Sequence, residues 1–124
     1  MNEKTFQEVF DLIQDFLPQN WKETIFFAGY TKGSYSMKYY CRVGDGTFID
    51  CFSFDDVSRA DLLKLFINID KILSKERASF DEKNRWTILT MIVDDSGKMK
   101  TEFDYDDHSE DMIAYENVWK KKYL

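Results

Sequence analysis

The sequence predicts an α+β protein with three helices and an antiparallel sheet of about five strands, in the order α-βββ-α-ββ-α. In three segments the apolar residues recur at three- and four-residue spacing, which is the periodicity of an amphipathic helix. The segments between them are rich in β-branched and aromatic residues and are broken by short glycine-containing turns, as in hairpins. Because 124 residues are typical of one domain, we expect residues 1–124 to form a single unit.

The first helix is predicted over Thr5–Leu17, where Thr5 and Glu8 have the spacing of a capping box and Pro18 follows the last apolar residue. Short turns at Gly33 and around Asp45 divide the next segment. We therefore predict three strands there, near residues 23–30, 35–43 and 47–53.

The second helix is predicted from Val57 to Ser79, with Asp55, Asp56 or Ser58 as its cap. Strands over Trp86–Val93 and Lys98–Tyr105 follow, joined by the turn at residues 94–97. In the last helix, Ser109 is the predicted cap, and the side chains expected to share one face are Met112, Tyr115 and Trp119. Lys120, Lys121 and Lys122 lie in its last turn, where cations favour the helix dipole.

The charge balance argues against several classes of partner. Seventeen Lys and Arg residues against 23 Asp and Glu give a net charge of −6, which repels nucleic acid and anionic lipid. No stretch has the apolar length of a membrane span, and the N-terminus lacks the basic start and apolar run of a signal peptide. We therefore expect a cytoplasmic protein that binds neither nucleic acid nor membrane.

The two cysteines, Cys41 and Cys51, are predicted to be reduced and buried. If the turn is centred on Asp45, Cys41 lies opposite Ile49, and the two thiols are one diagonal apart, near the limit for a disulfide. Their spacing does not match a zinc site. We expect neither a metal nor a cofactor.

Acidic residues are concentrated between Asp94 and Glu116, where nine acids face only two lysines. One interpretation is a solvated rim that caps a helix. A second is a hard-metal site formed by Asp104, Asp106, Asp107 and His108, although neighbours on an extended chain point in alternating directions. A third is an anionic surface that complements a basic partner, such as a protein that acts on nucleic acid.

Catalytic motifs are missing from the sequence: it contains no Gly-rich phosphate loop, no HExxH and no Ser/His/Asp arrangement. We therefore predict no catalytic residues and favour a protein inhibitor. The alternatives are a small divalent-metal enzyme that uses the Asp/His segment and a non-catalytic oligomeric module.

Apolar residues are predicted on both faces of the first hairpin, with Tyr39 on one face and Tyr40, Phe48, Phe52 and Phe54 on the other. If all three helices cover one face, the other keeps an exposed aromatic patch, through which a homodimer could form. The alternative is that a helix covers the second face.

Two segments resemble the YezG-like immunity family, the antitoxins of bacterial polymorphic toxin systems. They are FDYDD at residues 103–107 and, after a short gap, ENVWKKKYL at residues 116–124. The helix leading to Trp21, the Tyr-rich first hairpin, the long middle helix and the strand that begins with Trp86 also occur in the family's order, so the resemblance covers nearly the whole chain.

The resemblance implies a cytoplasmic protein that binds and neutralises a cognate toxin, often a nuclease. Among its motif positions, we expect Phe103, Tyr105, Trp119 and Tyr123 to be structural. The residues predicted to contact the toxin are the carboxylates Asp104, Asp106, Asp107, Glu110 and Asp111.

Overall fold

The computed structural model describes residues 3–124, and its helices and strands follow the predicted order α-βββ-α-ββ-α. Their bounds are α1 (Glu3–Gln14), β1 (Trp21–Thr31), β2 (Ser34–Val43), β3 (Ile49–Asp50), α2 (Arg59–Ala78), β4 (Ile88–Asp94), β5 (Met99–Asp104) and α3 (Met112–Tyr123). Within that part of the chain, no helix is long and apolar enough to cross a membrane.

The five strands form one antiparallel sheet in the order β3-β2-β1-β4-β5. The central strand β1 is buried without interruption from Thr24 to Tyr30, because both faces of the sheet are covered there. Its residue Phe26 lies opposite Tyr39 of β2 and Met91 of β4. The hairpin-joined pairs predicted from the sequence are therefore confirmed, and β1 and β4 join them in the middle of the sheet.

Helices cover the two faces of the sheet in unequal numbers. α1 and α2 pack on one face, where Phe10, Leu62 and Phe66 meet Phe26 and Tyr39 in the larger apolar core. α3 packs on the other face. Its smaller apolar cluster consists of Ile25, Phe27, Tyr40, Ile88 and Trp119. Of the two arrangements left open by the sequence, the one in which a helix covers the second face is confirmed.

Trp119 anchors α3 to the sheet and is the one buried residue of that helix. Its ring centroid lies 5.1 Å from that of Phe27 and 5.6 Å from that of Tyr40. The indole N–H donates to the hydroxyl of Thr90 at 2.8 Å. The buried polar groups of both side chains are thereby paired, which confirms the structural role expected of Trp119.

The third strand is much shorter than predicted. β3 contains only Ile49 and Asp50, because the carboxylate of Asp50 accepts the backbone N–H of Phe52 at 2.9 Å and starts a 3-10 turn. This turn moves Phe52 and Phe54 to the face that carries α1 and α2. Their predicted placement on the opposite face was wrong.

Of the three helix caps predicted from the sequence, one is confirmed and two are wrong. Ser58 caps α2, since its hydroxyl accepts the N–H of Asp61 at 3.1 Å. Thr5 lies inside α1 and is not its cap. Ser109 does not cap α3 either, because the helix begins at Met112, after Asp111.

Cys41 and Cys51 are free and fully buried, and Cys41 lies opposite Ile49 as predicted. Burial raises the pKa of both thiols, that of Cys51 to about 12. Tyr105 departs from its prediction, because it follows the end of β5 and its side chain is 54% exposed. It is therefore not a core residue.

Candidate functional site

The segment 104–111, which we call the acidic loop, runs from the last residue of β5 to the residue before α3. It contains all five carboxylates predicted to contact a toxin, Asp104, Asp106, Asp107, Glu110 and Asp111. Four of them are exposed, and Asp104 is half-buried. The loop therefore presents negative charge to solvent at one end of the sheet.

Asp104 holds the first turn of the acidic loop. Its carboxylate accepts the backbone N–H of Asp106 at 2.8 Å. Its carbonyl accepts the N–H of Thr87 at 2.8 Å and the hydroxyl of Thr87 at 3.1 Å. An Asp side chain that bonds the backbone two residues later turns the chain, so β5 ends here.

His108 lies inside the acidic loop between two carboxylates. Its Nε2 is 3.3 Å from Oδ2 of Asp104, and its Nδ1 is 3.2 Å from Oδ1 of Asp111. The imidazole also packs on Tyr115 of α3, with 4.2 Å between ring centroids. Burial, together with the charge of Asp104, raises the pKa of Tyr115 to about 12, so its ring stays neutral.

Asp107 organises the second half of the loop. Its carboxylate accepts both the hydroxyl and the backbone N–H of Ser109, the latter at 2.9 Å. These bonds hold its pKa below the usual range, the hydroxyl contributing most. Ser109 in turn accepts the N–H of Lys32 at 3.1 Å, which ties the loop to the turn between β1 and β2.

Asp104, Asp106 and His108 come close together, with one potential ligand atom from each within 4.8 Å of the others. Alternation along an extended chain places residues 104, 106 and 108 on one side and Asp107 on the other, and the structure keeps this division, so the four predicted ligands do not converge as one set. Asp107 stands outside this group and faces Lys32, whose Nζ is 3.7 Å from Oδ2. The hydrogen bonds of the turn account for the grouping.

A cleft beside the acidic loop was missed by sequence reasoning. It lies between β5 and α3, has a volume of about 410 Å³, and is lined by Glu102, Asp104, Tyr115 and Tyr123 among others. Tyr123 donates its hydroxyl to Glu102, and this bond holds the pKa of the Glu102 carboxyl below its usual range. The alternation of β5 indicated which side Glu102 would face, but only the position of α3 closes the cleft.

A second acidic surface lies in the helical layer formed by α1 and α2, between the end of α1 and the start of α2. This groove has a volume of about 490 Å³, and its apolar lining includes Phe16 and Phe54. The acids along it are Asp15, Asp56 and Asp61. They come from separate parts of the sequence, so no local run of acids indicated them.

The family of the chain follows from a comparison over almost its full length. A family model described as immunity protein YezG-like matches residues 2–124. The chain belongs to the YezG-like immunity protein family. A search of curated proteins found no match. In this YezG-like protein, the FDYDD segment forms the end of β5 and the start of the acidic loop, and WKKKYL forms the end of α3.

Proposed function

We propose that this YezG-like protein is a cytoplasmic antitoxin that binds a cognate bacterial toxin, a nuclease, through the acidic loop. The match to the immunity family over residues 2–124 carries the inhibitor role. The loop supplies the surface, with Asp104, Asp106, Asp107, Glu110 and Asp111 as the contact residues. The mode of inhibition is non-catalytic occlusion.

The structure of the loop supports this choice of surface. Asp106 and Glu110 are exposed, and within residues 3–124 neither carboxylate has a hydrogen-bonded or ion-paired partner, so both are available to a cation. The hydrogen bonds of Asp104 and Asp107 hold the backbone in place. A loop whose backbone is already held in place loses little conformational freedom on binding, which favours association.

The charge of the loop supports a nuclease as the target. A nuclease binds phosphates through Lys and Arg side chains, and exposed carboxylates complement that surface. Opposite charges speed the encounter and disfavour acidic partners. The net charge of −6 acts in the same direction.

Co-expression with the toxin domain encoded beside this gene tests the inhibitor role, and we expect the wild-type chain to restore growth. The test variant is Asp106→Lys with Glu110→Lys, because neither carboxylate supports the fold. We expect this variant to bind the purified toxin at least tenfold more weakly, mostly because its association rate falls. The difference from the wild type should disappear at high salt, which screens the charges.

The matched control is Asp15→Lys with Asp56→Lys, which changes the net charge equally at the groove between α1 and α2. It should bind like the wild type. A loss of binding in the control but not in the loop variant would assign the toxin to the groove and contradict the acidic-loop mechanism. Failure of the wild-type chain to bind or protect would instead contradict the antitoxin role.

The non-catalytic role has its own test. The purified chain should leave DNA and RNA intact, with or without Mg²⁺. Hydrolysis that depends on the metal and disappears in Asp104→Asn would contradict the proposal, because Asn keeps the turn-forming oxygen and removes only the charge.

A further inference from the structure

The strand β5 forms one edge of the sheet, and its outer side pairs with no strand among the described residues. Edge strands present free backbone N–H and C=O groups, which are a template for another strand. At the other edge, β3 pairs with Tyr40 and Cys41 of β2. Lys38 is already held there by Asp50, with 3.2 Å between Nζ and Oδ2. The outer side of β2 from Ser34 to Tyr39 also pairs with no strand among the described residues, so both edges are open and their side chains distinguish them.

The hydrogen-bond alternation identifies which β5 backbone groups point outward. The N–H of Asp94 donates to the carbonyl of Lys98 at 3.0 Å, so Lys98 belongs to a hydrogen-bonded pair with β4. In an antiparallel ladder such pairs alternate with pairs whose groups point away. Lys100 and Glu102 therefore bond towards β4. The residues whose N–H and C=O groups point outward are Met99, Thr101 and Phe103.

The side chains of β5 divide by face in the same alternation. Met99 and Phe103 are half-buried and pack on the α1 and α2 side of the sheet. Glu102 is on the α3 side, where it accepts the hydroxyl of Tyr123. On that side, the charges are Lys98, which precedes the strand, and Lys100, Glu102 and Asp104 within it, with 3.6 Å between Nζ of Lys100 and Oε1 of Glu102 in the same chain. The two cations come first and the two acids follow.

This order is self-complementary when the strand meets a second copy of itself in the antiparallel direction. We propose that two copies of this chain form a homodimer through their β5 edges, with a two-fold axis at Thr101. Lys100 then lies opposite Glu102 of the second copy, and Lys98 lies opposite Asp104 of the second copy. Met99 lies opposite Phe103 of the second copy, so apolar side chains meet on the other face.

The charges select this register over its neighbours. A shift by two residues in one direction places Lys100 opposite Lys100, and a shift in the other direction places Glu102 opposite Glu102. Like charges directly opposite each other destabilise a strand pair. Lysine on an edge strand also disfavours pairing with unrelated strands. The pattern therefore favours this register over the two shifted ones.

The dimer extends the proposed function and does not depend on it. The residues of the acidic loop beyond Asp104 follow the end of β5, so they lie outside the paired segment. The sheet continues from one copy into the other, and a two-fold axis at Thr101 places the two loops at opposite ends of the junction. Each dimer then offers two toxin-binding surfaces formed by the loop residues beyond Asp104, whereas Asp104 itself lies opposite Lys98 of the second copy. The covered sheet face, through which a dimer was expected from the sequence, is not used.

Sedimentation of the full chain, from micromolar to near-millimolar concentration, should show a monomer–dimer equilibrium. Lys100→Glu alone places two acids opposite each other, and Glu102→Lys alone places two lysines opposite each other. Each single variant should raise the dimer Kd about tenfold or more. An equimolar mixture of the two variants should form a heterodimer, because each acid then meets a lysine of the other variant.

Rescue by mixing separates a surface effect from a folding defect, since two misfolded chains do not repair each other. Thr101→Pro gives a second variant, which removes an outward N–H and should abolish the dimer without breaking a bond to β4. Lys64→Glu on the exposed side of α2 is the control and should leave the dimer unchanged. A wild-type chain that stays monomeric, a dimer that persists in Lys100→Glu, a mixture that stays monomeric, or growth to larger oligomers would each overturn the proposal.

Discussion

Replacing Trp119 by Ala tests whether α3 is held to the sheet by one side chain. Trp119 is 3% exposed, and a buried indole removes about 200 Å² of surface from water. At about 25 cal/mol per Å² this burial stabilises the fold by about 5 kcal/mol, which agrees with the 3–5 kcal/mol lost in comparable truncations. The hydroxyl of Thr90 also loses its donor, at a cost of about 1 kcal/mol.

The expected loss, about 5 to 6 kcal/mol with the hydrogen bond included, is as large as the total stability of many domains of this size. Urea unfolding followed by circular dichroism measures it, with the slope of the transition showing whether the native state stays compact. A loss below about 2 kcal/mol would refute the reasoning, since it would mean that α3 does not depend on the contacts of Trp119 with Phe27 and Tyr40.

A milder pair of substitutions separates packing from hydrogen bonding. Trp119→Phe keeps an aromatic ring against Phe27 and removes the indole N–H, whereas Thr90→Val leaves that N–H buried without an acceptor. Thr90→Val should cost about 1–3 kcal/mol, because an unpaired buried donor retains its full desolvation penalty. In the double variant the loss should be smaller than the sum of the two single losses. Additive losses would contradict direct coupling between the two side chains.

Three further predictions concern local groups. Cys51, whose pKa burial raises to about 12, should resist alkylation in the native protein and react only in denaturant, as measured by mass spectrometry. Tyr123→Phe should raise the lowered pKa of Glu102 towards its usual range, as measured by NMR, because the bond from Tyr123 is the largest of the causes that lower it. The stabilisation from that bond is present above the usual pKa and disappears as the pH falls through the folded value. Gly33→Ala should cost about 1 kcal/mol in urea unfolding, since Gly33 has φ of 81°, whereas Ser34→Ala should be near neutral.

The element order could be predicted from the sequence because each helix and hairpin carries its own periodicity. Of the apolar residues spaced along α2, Leu62, Phe66, Ile69 and Leu73 are buried, whereas Leu63 is exposed. Cys41 lies opposite Ile49 in the predicted register. The third strand was predicted too long, since alternation continues through Phe52 and Phe54. The side chain of Asp50 ends the strand, and that competing bond to the backbone is invisible to periodicity.

The face covered by α3 could not be predicted, because an amphipathic stripe shows which side of a helix is buried and not which sheet face it meets. Trp119 was identified as the buried anchor from helical spacing, and the structure confirms it. Its partners Phe27 and Tyr40 are distant in sequence, and only the strand order brings them together.

Within the candidate site, the concentration of acidic residues could be predicted from the sequence, but the conformation of the loop could not. Alternation predicts that Asp107 points away from Asp104, Asp106 and His108, but not the turn near these three, in which the carboxylate of Asp104 accepts the N–H of Asp106. Ser109 has the residue type of a helix cap, yet its hydroxyl donates to Asp107, and α3 starts later. Polar side chains that bond nearby backbone compete with the helix, so the boundaries of such loops are the least predictable part of the chain.

The charges of β5 show how strand order changes the meaning of a sequence pattern. Alternation of Lys98, Lys100, Glu102 and Asp104 with apolar residues predicts only a strand with one polar face. In a central strand, the two lysines and the two acids would lie beside two different neighbouring strands, and no two-fold relation would arise. At an edge, the missing neighbour can be a second copy of the chain. Only there does a two-fold axis at Thr101 place lysines opposite acids and so favour the pairing of two copies. The proposed β5 dimer therefore rests on the order of strands in the sheet as much as on the composition of β5.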